Sequence, residues 1–289
     1  MEKNYRFAGI DLVIDIPDDK IYVREDHLAP FRVETVRDPH RFVFALRDTL
    51  EGPPGRFVAA APGIRIYQDE CSRVRYVGAV QDSWENAYLR AEHADRDHRV
   101  QLLSSRFPEQ VGVKTVLNCL ETERLVTEAG GYVFHCSYID LDGRAILFTA
   151  PSGVGKSTQA ELWRSLRGAQ IVNGDRAVIR ASEDGVLACG LPFAGSSQYC
   201  LNRDLPVAAV VYLGQAPRTT IRRLRGYEAF ARIWEGCSVN LWEPEQLQRI
   251  SKLVEQTAAM VPVYHLPCTP DESAVETLEN ALREGSNHE

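Results

Sequence analysis

The sequence predicts an α/β chain: a phosphate-loop (P-loop) core preceded by a mainly β N-terminal module. Three observations carry this. A strand-like run, "RAILFT", passes through "APSGVGKST" into the helical stretch "TQAELWRSL". Downstream of it, short β-branched runs alternate with longer amphipathic ones, the signature of strands interleaved with helices. Upstream, residues 1–105 hold only short apolar runs split by turn chemistry such as "PDD" and "EGPPG". The division expected is a β-rich module at 1–105 and a nucleotide-binding domain at 106–289.

Bulk composition sets limits on partners and compartment. Of 289 residues, 44% are hydrophobic and 25% charged, the balance of an ordinary globular protein. Net charge is −7, so no whole-protein basic field exists to bind nucleic acid or acidic lipid. No apolar run reaches membrane-spanning length, and the N-terminus has no apolar h-region. Seven cysteines, none in a Cys-x-x-Cys pair, read as reduced thiols of a cytoplasmic protein.

Taken in order, "YRFAGIDLVIDI", "RFVFAL", "RFVAAA" and "VRYVGAV" read as strands, with a helix near 30 to 36. "RAEHADRDH" (90 to 98) reads as a solvated polar loop; its His93, Asp95, Asp97 and His98 fit no standard metal spacing. Between 110 and 131, Val113, Val116, Leu117 and Leu120 recur at helical spacing, and Gly130-Gly131 ends the run. "YVFHCSYI" and "RAILFTA" are strands joined by a tight turn at Asp142-Gly143. After the loop come a helix, the buried strand "AQIVN", the hairpin "RAVIRA" to "VLACG", and the central strand "VAAVVYL". Two helices ("GYEAFARIW", "EPEQLQRISKLVEQTAAM"), the strand "VPVYHLP" and a closing helix begun by Asp271 complete the chain.

The loop Ala150-Pro151-Ser152-Gly153-Val154-Gly155-Lys156-Ser157-Thr158 departs from the Walker A pattern G-x-x-x-x-G-K-[ST] only at its first glycine. Ser152, Gly153, Val154, Gly155, Lys156, Ser157 and Thr158 are the nucleotide-binding candidates. Backbone amides freed by glycine would point at phosphate oxygens, Lys156 would reach the terminal phosphates, and Ser157 would hold magnesium. Phosphoryl transfer also needs a carboxylate, and the strand after the loop helix ends in Gly174-Asp175-Arg176. A strand–helix–strand unit returns that end to the same sheet edge, which makes Asp175 a catalytic and metal-binding candidate. Counting across the Asp142-Gly143 turn puts His135 opposite 150 for a two-residue turn, or opposite 148 for a four-residue one. His135 therefore lies beside the loop's first residues as metal ligand, phosphate contact or proton carrier. Cys136 alternates into the core. Ser196, Ser197 and Arg203 either border the acceptor or belong to a plain polar loop. Arg218, Arg222, Arg223 and Arg225 read as a solvated edge strand, with a cationic lid as the alternative.

The order "HCS", "ILFTAPSGVGKST", "IVNGDRAVI" resembles the HPr kinase/phosphorylase-like group, whose nucleotide fold is shared with phosphoenolpyruvate carboxykinases. The likeness spans about 110 to 181, and more loosely the C-terminus ("GLPFAGSS", "VYHLPCTPDES"), where small HPr-kinase-related proteins of bacterial peptide-modification clusters look similar. The resemblance implies a core of the HPr kinase/PEP carboxykinase-like type, with ATP and Mg2+ as cofactors. It implies Lys156 on the β/γ-phosphates, Ser157 on the metal, Asp175 as metal ligand or acceptor base, and His135 at the family's site histidine. The family usually carries two adjacent acids; here a single Asp175 stands between Gly174 and Arg176. The Arg-Gly-Leu-Gly segment tied to the reverse reaction is missing. The expected function is an ATP- and Mg-dependent kinase (phosphotransferase) acting on a hydroxyl, such as Ser or Thr of a peptide or protein. A small-molecule acceptor, and a non-catalytic nucleotide sensor or peptide-binding protein, stay open beside it. Self-association into a homo-oligomer is also left open.

Overall fold

The computed structural model describes residues 2–17, 21–23, 27–79, 83–107, 110–183, 185–195 and 197–286. Its contacts divide the chain into two units, Met1–Leu125 and Val126–Glu289. The fold is mixed α/β with two large sheets. Among the described residues, no helix is long and apolar enough to cross a membrane.

The first unit is built on β1 (Glu2–Phe7), β2 (Ile10–Asp15), β3 (Tyr22–Val23), β4 (His40–Arg47), β5 (Arg56–Ala61), β6 (Ile64–Gln68), β7 (Arg73–Val77), β8 (Leu89–Ala94), β9 (Asp97–Leu103) and β10 (Gln110–Val111). Eight of these strands form one sheet in the order β1-β2-β4-β9-β8-β7-β6-β5, while β10 pairs with β3. The β1–β2 turn is possible because Ala8 and Gly9 take φ of 48° and 78°. The helix expected near 30 to 36 is only a 3-10 turn at Ala29–Phe31. The backbone beyond it is captured by the sheet edge instead: Arg32 bridges Tyr5, and Val33 N donates to Asn4 O at 3.0 Å.

Residues 90 to 98 are not a solvated loop. They form the β8–β9 hairpin, turning at Asp95, and both His93 and His98 are buried. The inward positions alternate as Leu89, Ala91, His93 and then His98, Val100, Leu102; a histidine in each series disguises the period-two pattern. His98 stacks on Phe42 and lies within hydrogen-bond distance of His40 and His93, at 3.1 and 3.2 Å. Burial pushes the His93 pKa from 6.5 down to about 4.

The helical run after 110 is two helices, α1 (Val113–Cys119) and α2 (Thr122–Glu128), broken at Glu121, whose φ is 45°. The break lets Glu121 turn inward. Burial alone would raise its pKa, but His93 first, then Arg73, Arg124 and Arg75, bring it down to about 2. Arg124 Nε donates to Glu121 Oε2 at 3.0 Å.

The second unit contains β11 (Gly131–His135), β12 (Ser137–Leu141), β13 (Arg144–Thr149), α3 (Lys156–Arg167), β14 (Gln170–Asn173), β15 (Arg176–Ser182), β16 (Gly185–Cys189) and β17 (Asp204–Gln215). They are followed by β18 (Arg222–Leu224), α4 (Tyr227–Glu235), α5 (Pro244–Met260), β19 (Val263–Cys268) and α6 (Glu272–Ser286). The sheet runs β11-β15-β16-β17-β13-β12-β14, with β19 beside the later half of β17 and β18 outside it. Strand residues alternate between two cores. Leu147 and Val210 pack with Ala229, Ile233, Ile250 and Val254 of α4 and α5. Ile146, Phe148 and Val211 pack with Ala160 and Trp163 of α3 and Val275 and Leu278 of α6. Helices thus cover both faces, which is why β13 and β17 read as continuous apolar runs.

"YVFHCSYI", expected as one strand, is two. β11 pairs with β15, whereas β12 pairs with β13 and β14. The chain changes partners at Cys136, whose N–H is taken by Asp175 O at 3.0 Å. The Asp142-Gly143 turn has two residues, with Leu141 opposite Arg144. β13 and β14 both run antiparallel to β12, so they point the same way, and β13, β17 and β19 are parallel. Four strands therefore bring their carboxyl ends to one edge of the sheet, the edge at which open α/β sheets hold ligands.

Candidate functional site

The loop from Ala150 to Gly155 joins β13 to α3 at that edge. Gly153 and Gly155 take φ of 80° and 123°, and nothing lies within 4 Å of a Cβ built on either. The requirement for glycine here is conformational, not one of crowding. Ala150 is buried against the core and is not at positive φ, so the first position of the pattern does not need a glycine. No side chain caps the N-terminus of α3, and its first turn carries no acidic residue. Its leading N–H groups and the positive end of its dipole are therefore available to an anion. Ser152, Gly153, Ser157 and Thr158 are exposed, and Val154 is half-buried. Lys156 is buried, its Nζ donating to Ala150 O at 2.9 Å. Burial lowers the Lys156 pKa, and nearby Asp175 opposes that shift.

His135 ends β11, opposite Arg176. Its position is fixed through the backbone: its N–H donates to Gly236 O at 2.7 Å, and its carbonyl accepts from Thr149 Oγ1 at 3.0 Å. It is thus tied to the last residue before the glycine loop, where the hairpin register leads, although His135 itself belongs to β11, on the other side of the partner change at Cys136. His135 Nε2 lies 3.4 Å from Asp175 Oδ1, and Arg176 Nε lies 3.1 Å from Oδ2. The His135 hydrogen bond, followed by the charge of Arg176, holds the Asp175 carboxyl below the usual range against the opposing effect of burial. Arg176 also lies over the Phe193 ring, 4.3 Å from its centroid. Cys136 is buried in the core behind them.

Asn173 is the organiser that sequence reasoning missed. Fully buried at the end of β14, its Oδ1 accepts from the N–H groups of Asp175 and Arg176 at 2.9 and 3.0 Å. Its Nδ2 donates to Leu191 O and Phe193 O at 3.2 and 2.7 Å. One side chain therefore shapes the Asp175 turn and docks the 191–193 segment against it. The signal was present in "NGD", a turn tripeptide in which asparagine commonly bonds backbone N–H groups two and three residues on.

Two glycines permit the close approach. A Cβ on Gly174 would lie 1.9 Å from Ser197 Oγ, and one on Gly195 would lie 2.9 Å from Asp175 Cβ. Ser197 therefore sits beside the acid, while Ser196 lies outside the described residues. Arg203 does not border the site: it bonds Asp140 and Gln170 at 2.9 and 2.5 Å, at the opposite end of β12 and β14. Arg222 pairs with Glu228, and Arg218, Arg223 and Arg225 are exposed along or beside the edge strand β18.

No protein-family profile matches this chain, and no curated protein matches it. Among solved structures it is similar to the Hpr(Ser) kinase/phosphatase from Coxiella burnetii. That likeness covers 54% of this chain and 93% of the other, at a TM-score of 0.34 and 12% identity. It is a distant structural relationship.

The residues present fit a magnesium–nucleotide group. The uncapped start of α3, the two positive-φ glycines and Lys156 suit a polyphosphate. Among the described residues, no cluster of three or more His, Cys, Asp or Glu is arranged to hold a metal. A hydroxyl and one carboxylate, Ser157 and Asp175, match an ion that takes its remaining ligands from phosphates and water, as Mg2+ does.

Proposed function

We propose that the Val126–Glu289 unit is a kinase-like phosphotransferase. It binds ATP with Mg2+ and passes the terminal phosphoryl group to a hydroxyl of a peptide, protein or small molecule. The observation that carries this reading is the convergence of Lys156, Asp175 and His135 where β13 and β14 end. In the transfer, a bond forms between the acceptor oxygen and the γ-phosphorus while the bond from that phosphorus to the departing ADP oxygen breaks. Ser157 and Asp175 would hold Mg2+, which would neutralise charge on the polyphosphate. Lys156 exchanges its bond to Ala150 O for the phosphate oxygens. Asp175, kept ionised by His135 and Arg176, accepts a hydrogen bond from the acceptor's O–H, aligns it, and takes its proton late, as the new oxygen–phosphorus bond forms. A weakly basic carboxylate is adequate, because a loose phosphoryl transition state needs orientation more than early proton removal. His135 holds Asp175 from one side and Arg176 from the other.

A second reading rests on the same contacts. Both carboxylate oxygens of Asp175 already have partners, an arrangement equally suited to a site that binds nucleotide without transfer. Turnover separates the two. With Mg·ATP and a panel of hydroxyl acceptors, the first reading expects acceptor-dependent ADP release that Lys156→Ala abolishes. Equal release by the variant would sink it, and tight binding without release would favour the second.

A further inference from the structure

Four arginines fall close together in the second unit: Arg218, Arg222, Arg223 and Arg225. Two of them lie on β18, the outermost strand beside β19, which among the described residues pairs with no other strand. Arg222 is committed to Glu228, with bonds at 2.6 and 3.2 Å. Arg218, Arg223 and Arg225 are exposed, and among the described residues none has an acidic partner. Charged side chains blunt an exposed edge, and either sign serves. Three of one sign without a counter-charge, on a chain whose net charge is −7, do more: they raise a local positive potential that attracts an anion.

The backbone of this edge is open as well. Thr220 N–H is spent on Pro267 O at 3.0 Å, after which Arg222 stands opposite His265 and Leu224 opposite Val263. Inward and outward groups alternate along a strand, so the N–H and C=O of Ile221 and Arg223 point away from β19. An extended peptide can add to them as a further strand. Arg223 and Arg225 are two residues apart and share a face, so they match acidic side chains at alternate positions of that peptide.

We propose that β18 is the docking strand for an acidic segment of the phosphoryl acceptor, which makes the acceptor a peptide or protein. Assigning the segment to the acceptor rests on the kinase reading above. Strand register links the two places. Arg222, His265, Tyr212 and Thr149 are neighbours on β18, β19, β17 and β13, along one face of the sheet. Thr149 Oγ1 donates to the carbonyl of His135, whose ring meets Asp175. From a strand added outside β18 to β13 is a lateral distance of about 19 Å, which an extended chain covers in about six residues. The hydroxyl that reaches Asp175 therefore lies about six residues from the acidic segment.

The test uses the full chain and three fluorescein-labelled peptides. The first carries glutamate at alternate positions, with a serine about six residues to either side. The second has glutamine in place of each glutamate. The third keeps the glutamates but brings the serines next to them. Anisotropy without nucleotide should show the first and third binding alike, and the second at least about tenfold more weakly. Arg223→Glu with Arg225→Glu should weaken the first peptide by at least about tenfold and leave Mg·ATP affinity unchanged. Arg223→Gln with Arg225→Gln is the second arm if the reversed charges disturb folding. With Mg·ATP, the first peptide should be phosphorylated and the third should not. Equal binding of the glutamate and glutamine peptides, undiminished binding by the arginine variants, or a single-stranded oligonucleotide binding as tightly as the first peptide would overturn the docking strand. So would transfer to small hydroxyl acceptors with none to the docked peptide, and that result would leave the kinase reading standing. Docking with no transfer to any acceptor would overturn the kinase reading, and the assignment of the segment to an acceptor with it.

Discussion

Replacing Asn173 by alanine should unmake the turn that presents Asp175. The side chain is fully buried and makes four hydrogen bonds, two accepted and two donated. At about 1 kcal/mol net for each, the loss comes to roughly 4 kcal/mol. It is smaller where the half-buried Asp175 and Arg176 amides recover water, and Leu191 O keeps the Phe193 N–H as a donor at 2.7 Å. For a unit of this size each kcal/mol is worth about 2–4 °C in melting temperature. Calorimetry should therefore show the second unit melting roughly 8–16 °C lower. Hydrogen exchange should show the Asp175 and Arg176 amides losing protection first, because their acceptor is gone. A drop below about 3 °C with unchanged protection at those amides would refute the claim that Asn173 holds the site together.

Two further outcomes follow from named geometry. Gly155→Ala forces an L-residue to φ of 123° with open space around it, so its cost is backbone strain of about 1–3 kcal/mol; a melting temperature equal to wild type would show that the loop does not hold this conformation. In the first unit, His93 is buried neutral with a pKa near 4, whereas the unfolded chain takes up its proton near 6.5. Because the folded value is the lower one, the unit is at full stability above pH 6.5 and loses it as pH falls toward 4. At 1.36 kcal/mol per pH unit this is about 3 kcal/mol. Glu121, whose pKa falls to about 2, extends the loss from about 4.5 downward, with Arg73, Arg75, Arg124, His40 and His98 as the other charged or titratable neighbours. Urea unfolding of the chain between pH 7.5 and 5 should show this slope, and His93→Gln should reduce it without removing it, because burial also pushes the His98 pKa down to about 2; a level profile in the wild type would contradict the burial argument.

What the chain revealed before its structure, and what it hid, divides along physical lines. The strand–loop–helix around Lys156, the Asp142-Gly143 turn and the helices of the second unit were readable, because each is encoded by local periodicity or turn chemistry. Hairpin counting from the two-residue turn held from Leu141–Arg144 to Ser137–Phe148 and led to His135 beside the loop. What it missed is that the strand is not continuous: the partner change at Cys136 is decided by β15, a strand distant in sequence. Buried histidines and a buried glutamate misled the reading of the first unit, since His93, His98 and Glu121 interrupt an apolar pattern that only their packed neighbours restore. Arg203 illustrates the same limit: proximity in sequence to Ser197 said nothing of its bond to Asp140.

The central claim is that one carboxylate, Asp175, serves phosphoryl transfer while the glycine loop binds the nucleotide. Asp175→Asn tests it directly when ATP affinity and acceptor-dependent ADP formation are measured on the same preparation. The account predicts ADP formation reduced by about two orders of magnitude or more, the scale set by loss of a positioned catalytic group, and a smaller weakening of Mg·ATP binding from the loss of a charged metal ligand. ADP formation unchanged in Asp175→Asn, beside unaltered binding, would contradict it.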